Sequence, residues 1–553
     1  MAAVPAGTRQ VAELIRRDPH APHYHFLAPE GGLARPFDPN GALFWKGRYH
    51  LFYIFQDPAR PGREHCWGHA SSADLLHWTY HPTALAAAPT DPDWGIFSGN
   101  AFVNLDGVPT ISYHGCGVGT CIATAQDDEL LVWRKHPANP VIPEPRAGEL
   151  AGKVYNVFDP HMWVENGHYY VILGGRVKPY DIRDTAYLFT STDLEHWEYL
   201  RPFYNANPHW TGEEEDCACP DFFQLGNRHV LMCISHPRGA RFYLGQYHNG
   251  TFIPEEHHRM NWPGGPCFAP ESLLDDRNRR IFWTWAVDHR RGDSWVPNAL
   301  GVMTLPRVLS LDQAGRHPQI DPVEELAQLR QAPQHRRDLV VEDGTEVPLA
   351  GIAGDVLELE LDVRIPAGGV FGLVVRRSPD GAEQTVITID PAAKCLAIDT
   401  TRSTLADNVF QGYPIICWQS GITQQDVRVQ RAPFELAPDE PLRLRVFLDK
   451  SMLEVFANRR QCVTQRLYPS RPDSTGIALF SRGAAARVCT LTAWPMTSPC
   501  QAECMAVLSD DVGATLLEKG APFADSAGRF SATTHDWDNR GGLRNPQKGN
   551  KKV

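Results

Sequence analysis

Carboxylates stand at three places along the chain with the surroundings of reactive groups: Asp38, Asp159, and the run Glu213-Glu214-Glu215-Asp216. Asp38 lies in Pro36-Phe37-Asp38-Pro39-Asn40-Gly41, a turn that runs into two aromatic strands joined at Lys46-Gly47. An acid placed there is held by backbone on both sides and can point out of the sheet end. Several carboxylates suit the cleavage of a glycosidic bond. One attacks the anomeric carbon, and a second, protonated, donates to the leaving oxygen. A third can grip neighbouring hydroxyls. An Asp-Pro-Asn-Gly turn is also an ordinary connection, so the turn alone does not assign this chemistry.

The elements that must bring these acids together repeat. One unit runs from Asp38-Pro39 to Asp74-Leu75-Leu76-His77-Trp78, and another from Asp159-Pro160 to Asp193-Leu194-Glu195-His196-Trp197. Acid and tryptophan are 40 and 38 residues apart in the two. Between them a variant begins at Phe97-Ser98-Gly99 and ends at Trp133. A fourth unit is read from Asp221-Phe222-Phe223 and a fifth from Phe268-Ala269-Pro270-Glu271. Units of about 40 residues, built of short strands with no intervening helix, predict propeller blades. Acids at the starts of different blades then meet at the axis.

The predicted fold is all-β, a five-bladed propeller followed by a β-sandwich. The expected boundaries are an N-terminal extension over 1–22, the propeller over 23–318, a linker helix within 319–335, the sandwich over 336–497 and a partly disordered tail over 498–553. The linker is read from Pro322 and the helical spacing of apolar residues after it. The sandwich is read from strict alternation such as Val356-Leu357-Glu358-Leu359-Glu360-Leu361. A short amphipathic helix is expected around residues 12–17.

Composition narrows the partners. The net charge of −12 is scattered rather than blocked, which argues against nucleic acid or an anionic membrane as partner. No run of about 18 apolar residues is present to cross a membrane. The 13 cysteines are dispersed and no secretory signal is visible, so a reduced, cytoplasmic protein is expected.

The Asp38-Pro39-Asn40-Gly41 stretch resembles the first motif of glycoside hydrolase family 32, the invertase and fructanase family. The resemblance continues through Trp67-Gly68-His69, Phe97-Ser98-Gly99, Phe158-Asp159-Pro160, Cys219-Pro220-Asp221 and Phe268-Ala269-Pro270-Glu271. It extends into the sandwich at residues 446–451 and 454–458. It implies a retaining mechanism on β-fructofuranosides, with Asp38 as nucleophile and Asp159 as transition-state stabiliser. Asn40, Gln56, Trp67, Phe97 and Ser98 fall where that family lines its fructose pocket. The substrate implied is a small or oligomeric sugar containing fructose, and no metal or organic cofactor is implied.

The departures from the family pattern are specific. Arg35-Pro36-Phe37 replaces Trp-Met-Asn, and Phe158 replaces an Arg beside Asp159, for which Arg176 or Lys178 would substitute. The family's Glu-Cys-Pro-Asp reads Ala218-Cys219-Pro220-Asp221, so the proton donor is displaced upstream. Strand alternation favours Asp216 as donor, because 216 and 218 face one side. Arm length favours Glu215, which is the assignment taken, with a bulge delivering it. Cys217 and Cys219 lack the second pair a metal site needs, and His23, His25, His65 and His69 are read as structural. Two other functions fit the same scaffold: a fructosyltransferase, and a non-catalytic carbohydrate-binding homologue, for which Ala218 is the argument.

Overall fold

The computed structural model describes residues 6–32, 34–290, 300–416 and 422–499. Of the tail expected to be partly disordered over 498–553, residues 500–553 lie outside the described residues. Four four-stranded antiparallel sheets and one five-stranded sheet follow one another between Phe37 and Pro322. Two six-stranded sheets then pack face to face. The architecture is a five-bladed propeller joined to a β-sandwich. No helix among the described residues is long and apolar enough to cross a membrane.

The first strands of the blades are Phe37–Trp45, Ile96–Val103, Pro160–Glu165, Ala218–Leu225 and Cys267–Leu274. Each contacts its neighbours, and the fifth contacts the first, which closes the ring. Four consecutive residues at or just before each of these strands are equivalent. They read Phe37-Asp38-Pro39-Asn40, Phe97-Ser98-Gly99-Asn100, Phe158-Asp159-Pro160-His161, Ala218-Cys219-Pro220-Asp221 and Phe268-Ala269-Pro270-Glu271. The fourth unit therefore starts at Ala218, three residues before the Asp221 from which the sequence reading took it.

Alternation gives these positions different tasks. The last residue of each quartet ties its blade to the next. Asn40 Oδ1 accepts from Gly99 N at 3.0 Å, and Asn100 exchanges two 2.9 Å bonds with the Met162 backbone. His161 Nε2 meets Phe222 O at 3.0 Å, and Ser272 Oγ donates to Asp221 Oδ2 at 2.5 Å. Glu271 Oε1 closes the circle by accepting from Ala42 N at 2.9 Å. Buried polar groups of this kind are costly unless paired, so the five ties fix the blades around the axis. Gly99 replaces proline because a Cβ there would stand 1.9 Å from the Ser112 carbonyl oxygen.

Ahead of the propeller, helix Ala6–Arg17 buries Val11 and Leu14 against Leu300, Val302 and Met452. After it, a 3-10 helix over Glu324–Leu329 buries Leu326 and Leu329. In the sandwich, Leu357, Leu359, Leu361 and Val363 of one sheet face Phe371, Leu373 and Val375 of the other. The two domains are pinned by a buried cluster. Asp449 accepts from the backbone N–H of His23, Tyr24 and His25, and the His25 ring lies 2.8 Å from Asp449 and 3.3 Å from Glu454. Arg307 joins Glu454 at 2.9 Å. His25 is thus a structural residue, as read from the sequence.

Candidate active site

The second residue of each quartet is the one that converges on the axis. In the first, second, fourth and fifth blades the strand register slips at this point, the signature of a bulge that re-aims a side chain. Asp159, Cys219 and Ala269 have positive φ of 34°, 46° and 38°. Such left-handed backbone is strained for residues other than glycine, and its recurrence in three blades marks the place.

Asp38, Ser98, Asp159 and Cys219 come together there. Ser98 Oγ lies 3.5 Å from Asp38 Oδ2. The Cys219 thiol lies 3.4 Å from Ser98 Oγ, 3.6 Å from Asp159 Oδ2 and 4.0 Å from Asp38 Oδ2. Cys219 N donates to Asp159 Oδ2 at 2.9 Å. Asp38 Oδ1 is buried without a hydrogen-bond partner. Burial pushes the Asp38 carboxyl up to about 7, and the charge of Asp159 adds to the effect. Burial pushes Asp159 up to about 6 against the Cys219 N–H, which favours the anion. The same burial, with both carboxylates beside it, holds the Cys219 thiol well above its ordinary range and therefore neutral.

In the sequence Cys219 carries no role of its own, standing only within the Cys219-Pro220-Asp221 motif and a Cys-x-Cys pair. Its place emerges when the quartets are aligned, because it is equivalent to Asp38 and Asp159. Cys217 faces away, fully buried in the apolar cluster with Phe203 and Tyr243.

The first residue of each quartet is phenylalanine except in the fourth blade. These rings form a belt that closes on itself. Phe37 neighbours His65, His65 neighbours Phe97, and Phe97 neighbours His114, with ring centroids 6.1, 4.7 and 6.4 Å apart. His114, Phe158 and His236 follow at 5.0 and 6.4 Å. Phe268 and Trp285 complete the circuit back to Phe37 at 6.0, 5.8 and 5.9 Å. Ala218, fully buried against Ile234, Phe268 and Ala269, stands where the fourth phenylalanine would be. The His236 ring takes up its place in the belt.

The pocket residues expected from the sequence divide. Ser98 and half-buried Phe97 sit at the site. Asn40 spends its amide on the backbone of Asp38 and Gly99, so it shapes the site from beneath. Trp67 is fully buried, its indole N–H donating to Phe97 O at 3.0 Å, and it braces that ring from behind. Gln56 meets the His65 ring at 3.0 Å and so supports the belt.

The acidic run lies beside the site rather than in it. Glu213 is exposed and Glu214 pairs with Arg238 at 2.5 Å. Glu215 is buried between two guanidiniums, 2.5 Å from Arg241 and 2.9 Å from Arg259, and also accepts from Gly212 N. Burial alone would raise its carboxyl, but these cations hold it below the usual range. A donor must keep its proton near neutrality, and Glu215 is held as an anion; no bulge carries it to the axis, since the register slip falls between Ala218 and Asp221. Asp216 is also held low, by His236, whose backbone N–H and ring Nδ1 lie 2.9 and 2.5 Å from its two oxygens.

The cation beside Asp159 is likewise not one of the expected residues. Arg176 donates to the Glu213 carbonyl and Lys178 pairs with Asp181. The positive charge that lowers both Asp159 and Asp38 is that of His236.

Both domains match known proteins. The family model described as "Glycosyl hydrolases family 32 N-terminal domain" matches residues 25–322, and that described as "Glycosyl hydrolases family 32 C terminal" matches 325–495. The chain is 27% identical to the β-fructofuranosidase insoluble isoenzyme 1 of Oryza sativa subsp. indica, over 86% of this chain and 90% of that protein. It is 28% identical to the sucrose-6-phosphate hydrolase of Zymomonas mobilis, over 81% and 87%. Among solved structures it resembles fructan 1-exohydrolase IIa of Cichorium intybus, with a TM-score of 0.72 and 23% identity over 87% of this chain and 98% of that one. Sucrose-6-phosphate hydrolase of Lactobacillus gasseri has a TM-score of 0.69 at 22% identity, over 89% and 96%. These structural likenesses speak for the fold.

Proposed function

The chain belongs to glycoside hydrolase family 32, and from that premise we propose that it is a retaining glycosidase of β-D-fructofuranosyl linkages, as in sucrose or fructans. The observation that carries the reading is the pairing of Asp38 and Asp159. They occupy the same quartet position in the first and third blades, both are buried, and among the described residues neither has a lysine or arginine partner. A carboxylate kept in that state is a stronger nucleophile than a solvated one, because protein rather than water surrounds it.

In this mechanism the Asp38 carboxylate attacks the anomeric carbon as the glycosidic C–O bond breaks, giving a fructosyl ester. Water then cleaves that ester and restores Asp38. Asp159, fixed by Cys219 N, accepts hydrogen bonds from ring hydroxyls and offsets the positive charge that develops on the sugar. The Phe37, Phe97 and Phe158 rings offer apolar faces to the C–H side of the sugar. The relatives named for β-fructofuranosidase and sucrose-6-phosphate hydrolase activity support the substrate class.

Incubation with sucrose, inulin and levan, followed by product analysis, tests the proposal. Free fructose is expected from at least one of them, and Asp38→Ala should abolish it. Longer oligosaccharides in place of fructose would indicate the transferase. Binding without any product would indicate the non-catalytic homologue that Ala218 suggests.

A further inference from the structure

A retaining mechanism needs a group that first gives a proton to the leaving oxygen and then takes one from water. Ala218 is an alanine where a donor is called for, Glu215 is locked between Arg241 and Arg259, and Asp216 is engaged with a histidine. Among the described residues Glu144 also reaches the belt, 3.5 Å from His114, but the histidine is the group that the fourth blade itself supplies, two residues from the strand partner of Ala218.

Three hydrogen-bond contacts, together with its ring packing, help to place His236. Its backbone N–H donates to Asp216 Oδ1 at 2.9 Å, its ring Nδ1 is 2.5 Å from Asp216 Oδ2, and its carbonyl accepts from Ile416 N of the sandwich domain at 3.1 Å. The fourth blade presents it. Ala218 pairs with Ile234 across adjacent strands, so the antiparallel register sets residue 216 opposite residue 236. The ring stands in the aromatic belt between Phe158 and Phe268, two rings that belong to the apolar cluster of Ala218.

The geometry points to His236 as the proton donor and acceptor of this site, with Asp216 as its positioning partner. The inference rests on the glycosidase reading above. With Nδ1 turned to Asp216, the opposite edge of the ring carries the transferable proton. In the first step the imidazolium Nε2–H passes to the glycosidic oxygen as its bond to the anomeric carbon breaks and the Asp38 ester forms. In the second, neutral Nε2 takes a proton from water as the water oxygen bonds to the anomeric carbon and the ester breaks. The imidazolium and the Asp38 carboxylate are both restored, and one water is consumed per linkage.

The electrostatics agree. Burial would lower the His236 pKa, but Asp216 reverses this, and Asp159 and Asp38 add to it, so the ring is held above its ordinary value. Among the described residues, Arg238 turns to Glu214 and Tyr413, Arg241 to Glu215 and the Asp216 carbonyl, and Glu144 stands 3.5 Å from His114 of the belt. Cys219 is a neutral thiol.

The test compares a sugar leaving group, which needs protonation, with p-nitrophenolate, which does not. His236→Gln is expected to lower kcat on sucrose by about 10²- to 10⁴-fold. The kcat/KM for p-nitrophenyl β-D-fructofuranoside, which reports formation of the ester, should fall less than about 10-fold, while its kcat becomes limited by attack of water on the ester. Azide, which attacks the fructosyl ester without base assistance, should raise turnover of the aryl substrate by the variant and yield fructosyl azide. Asp216→Asn keeps the histidine and a neutral acceptor; it should move the alkaline limb of the kcat/KM profile to lower pH. Equal losses on both substrates in His236→Gln, with no azide product, would overturn the assignment, as would an unmoved alkaline limb in Asp216→Asn. A wild-type chain that cleaves neither substrate would overturn the glycosidase reading and this inference together. A wild type that cleaves both, with a variant that loses both equally, would overturn the inference alone.

Discussion

His25 and His236 are each buried and each held by an aspartate, Asp449 for the first and Asp216 for the second. Both rings are shifted toward the protonated form by those partners against the opposing effect of burial. They differ in what lies on the far side. The second nitrogen of His25 meets Glu454, which is itself neutralised by Arg307. Every charge in that nest has a partner, and Asp449 and Glu454 are held below their usual range. Beyond His236 stand Asp38 and Asp159, which burial pushes up to about 7 and about 6. One set of groups joins two domains. In the other, compensation is incomplete, and a proton can move at modest cost.

The largest expected effect breaks the second site. Asp38→Asn should reduce sucrose turnover by roughly 10⁴-fold or more, the scale of loss seen when a covalent nucleophile is removed. The same variant should melt at a higher temperature than wild type at neutral pH, since a buried and poorly paired carboxylate disappears. Calorimetry alongside the assay checks both halves.

The reverse pattern is expected on the other side of the comparison. His25→Ala leaves Asp449 without its ring partner and should cost about 3–5 kcal/mol of stability, the range for breaking a buried ion pair. Its kcat on sucrose should stay within a factor of a few of wild type. Glu215→Gln belongs with this group. It weakens the clamp with Arg241 and Arg259, so it should lower the melting temperature, while the ratio of sucrose to aryl-fructoside turnover remains that of wild type. A selective loss on sucrose would instead return the donor role to Glu215.

Stability against pH sharpens the contrast, because the two sites have opposite signs. Asp38 has a folded value raised above the unfolded value of about 3.9. The folded state therefore binds more protons in between, and stability contributed by this group falls as pH rises from about 4 to about 7. Asp449 and Glu454 are depressed, so their contribution is present above the ordinary carboxylate range and is lost as pH falls through their folded values. Melting curves should show Asp38→Asn flattening the first dependence and Asp449→Asn the second. The smallest effect is expected from Ser98→Ala. Its 3.5 Å contact with Asp38 is long, and turnover should change by no more than about 10-fold, the equivalent of one hydrogen bond.

The propeller was legible because Asp-Pro and Leu-x-x-Trp recur at blade spacing, and the sandwich because its strands alternate strictly. Asp38 and Asp159 were legible as equivalent acids for the same reason. The fourth blade was harder: its quartet has Ala218 in place of phenylalanine and Cys219 in place of the acid, so the repeat surfaced only at Asp221. The fate of Glu215 is decided by Arg241 and Arg259, 26 and 44 residues downstream, which no local pattern announces. His236 depends on strand register and on a bulge. Both are set by backbone pairing, and a sequence read one residue at a time does not display them.

The ring of five ties also bears on how the chain is made. Links from Asn40, Asn100, His161 and Asp221 join successive blades and can form in order as synthesis proceeds. The closing link, Glu271 to Ala42, spans 229 residues. Until Glu271 has emerged from the ribosome, the Ala42 N–H lacks its native acceptor and the first blade keeps an open flank. Tyr24 waits longer still, for Asp449, 425 residues away. A nascent chain that stalls before Glu271 emerges carries four blades and an unclosed axis, the stage at which it most needs a chaperone.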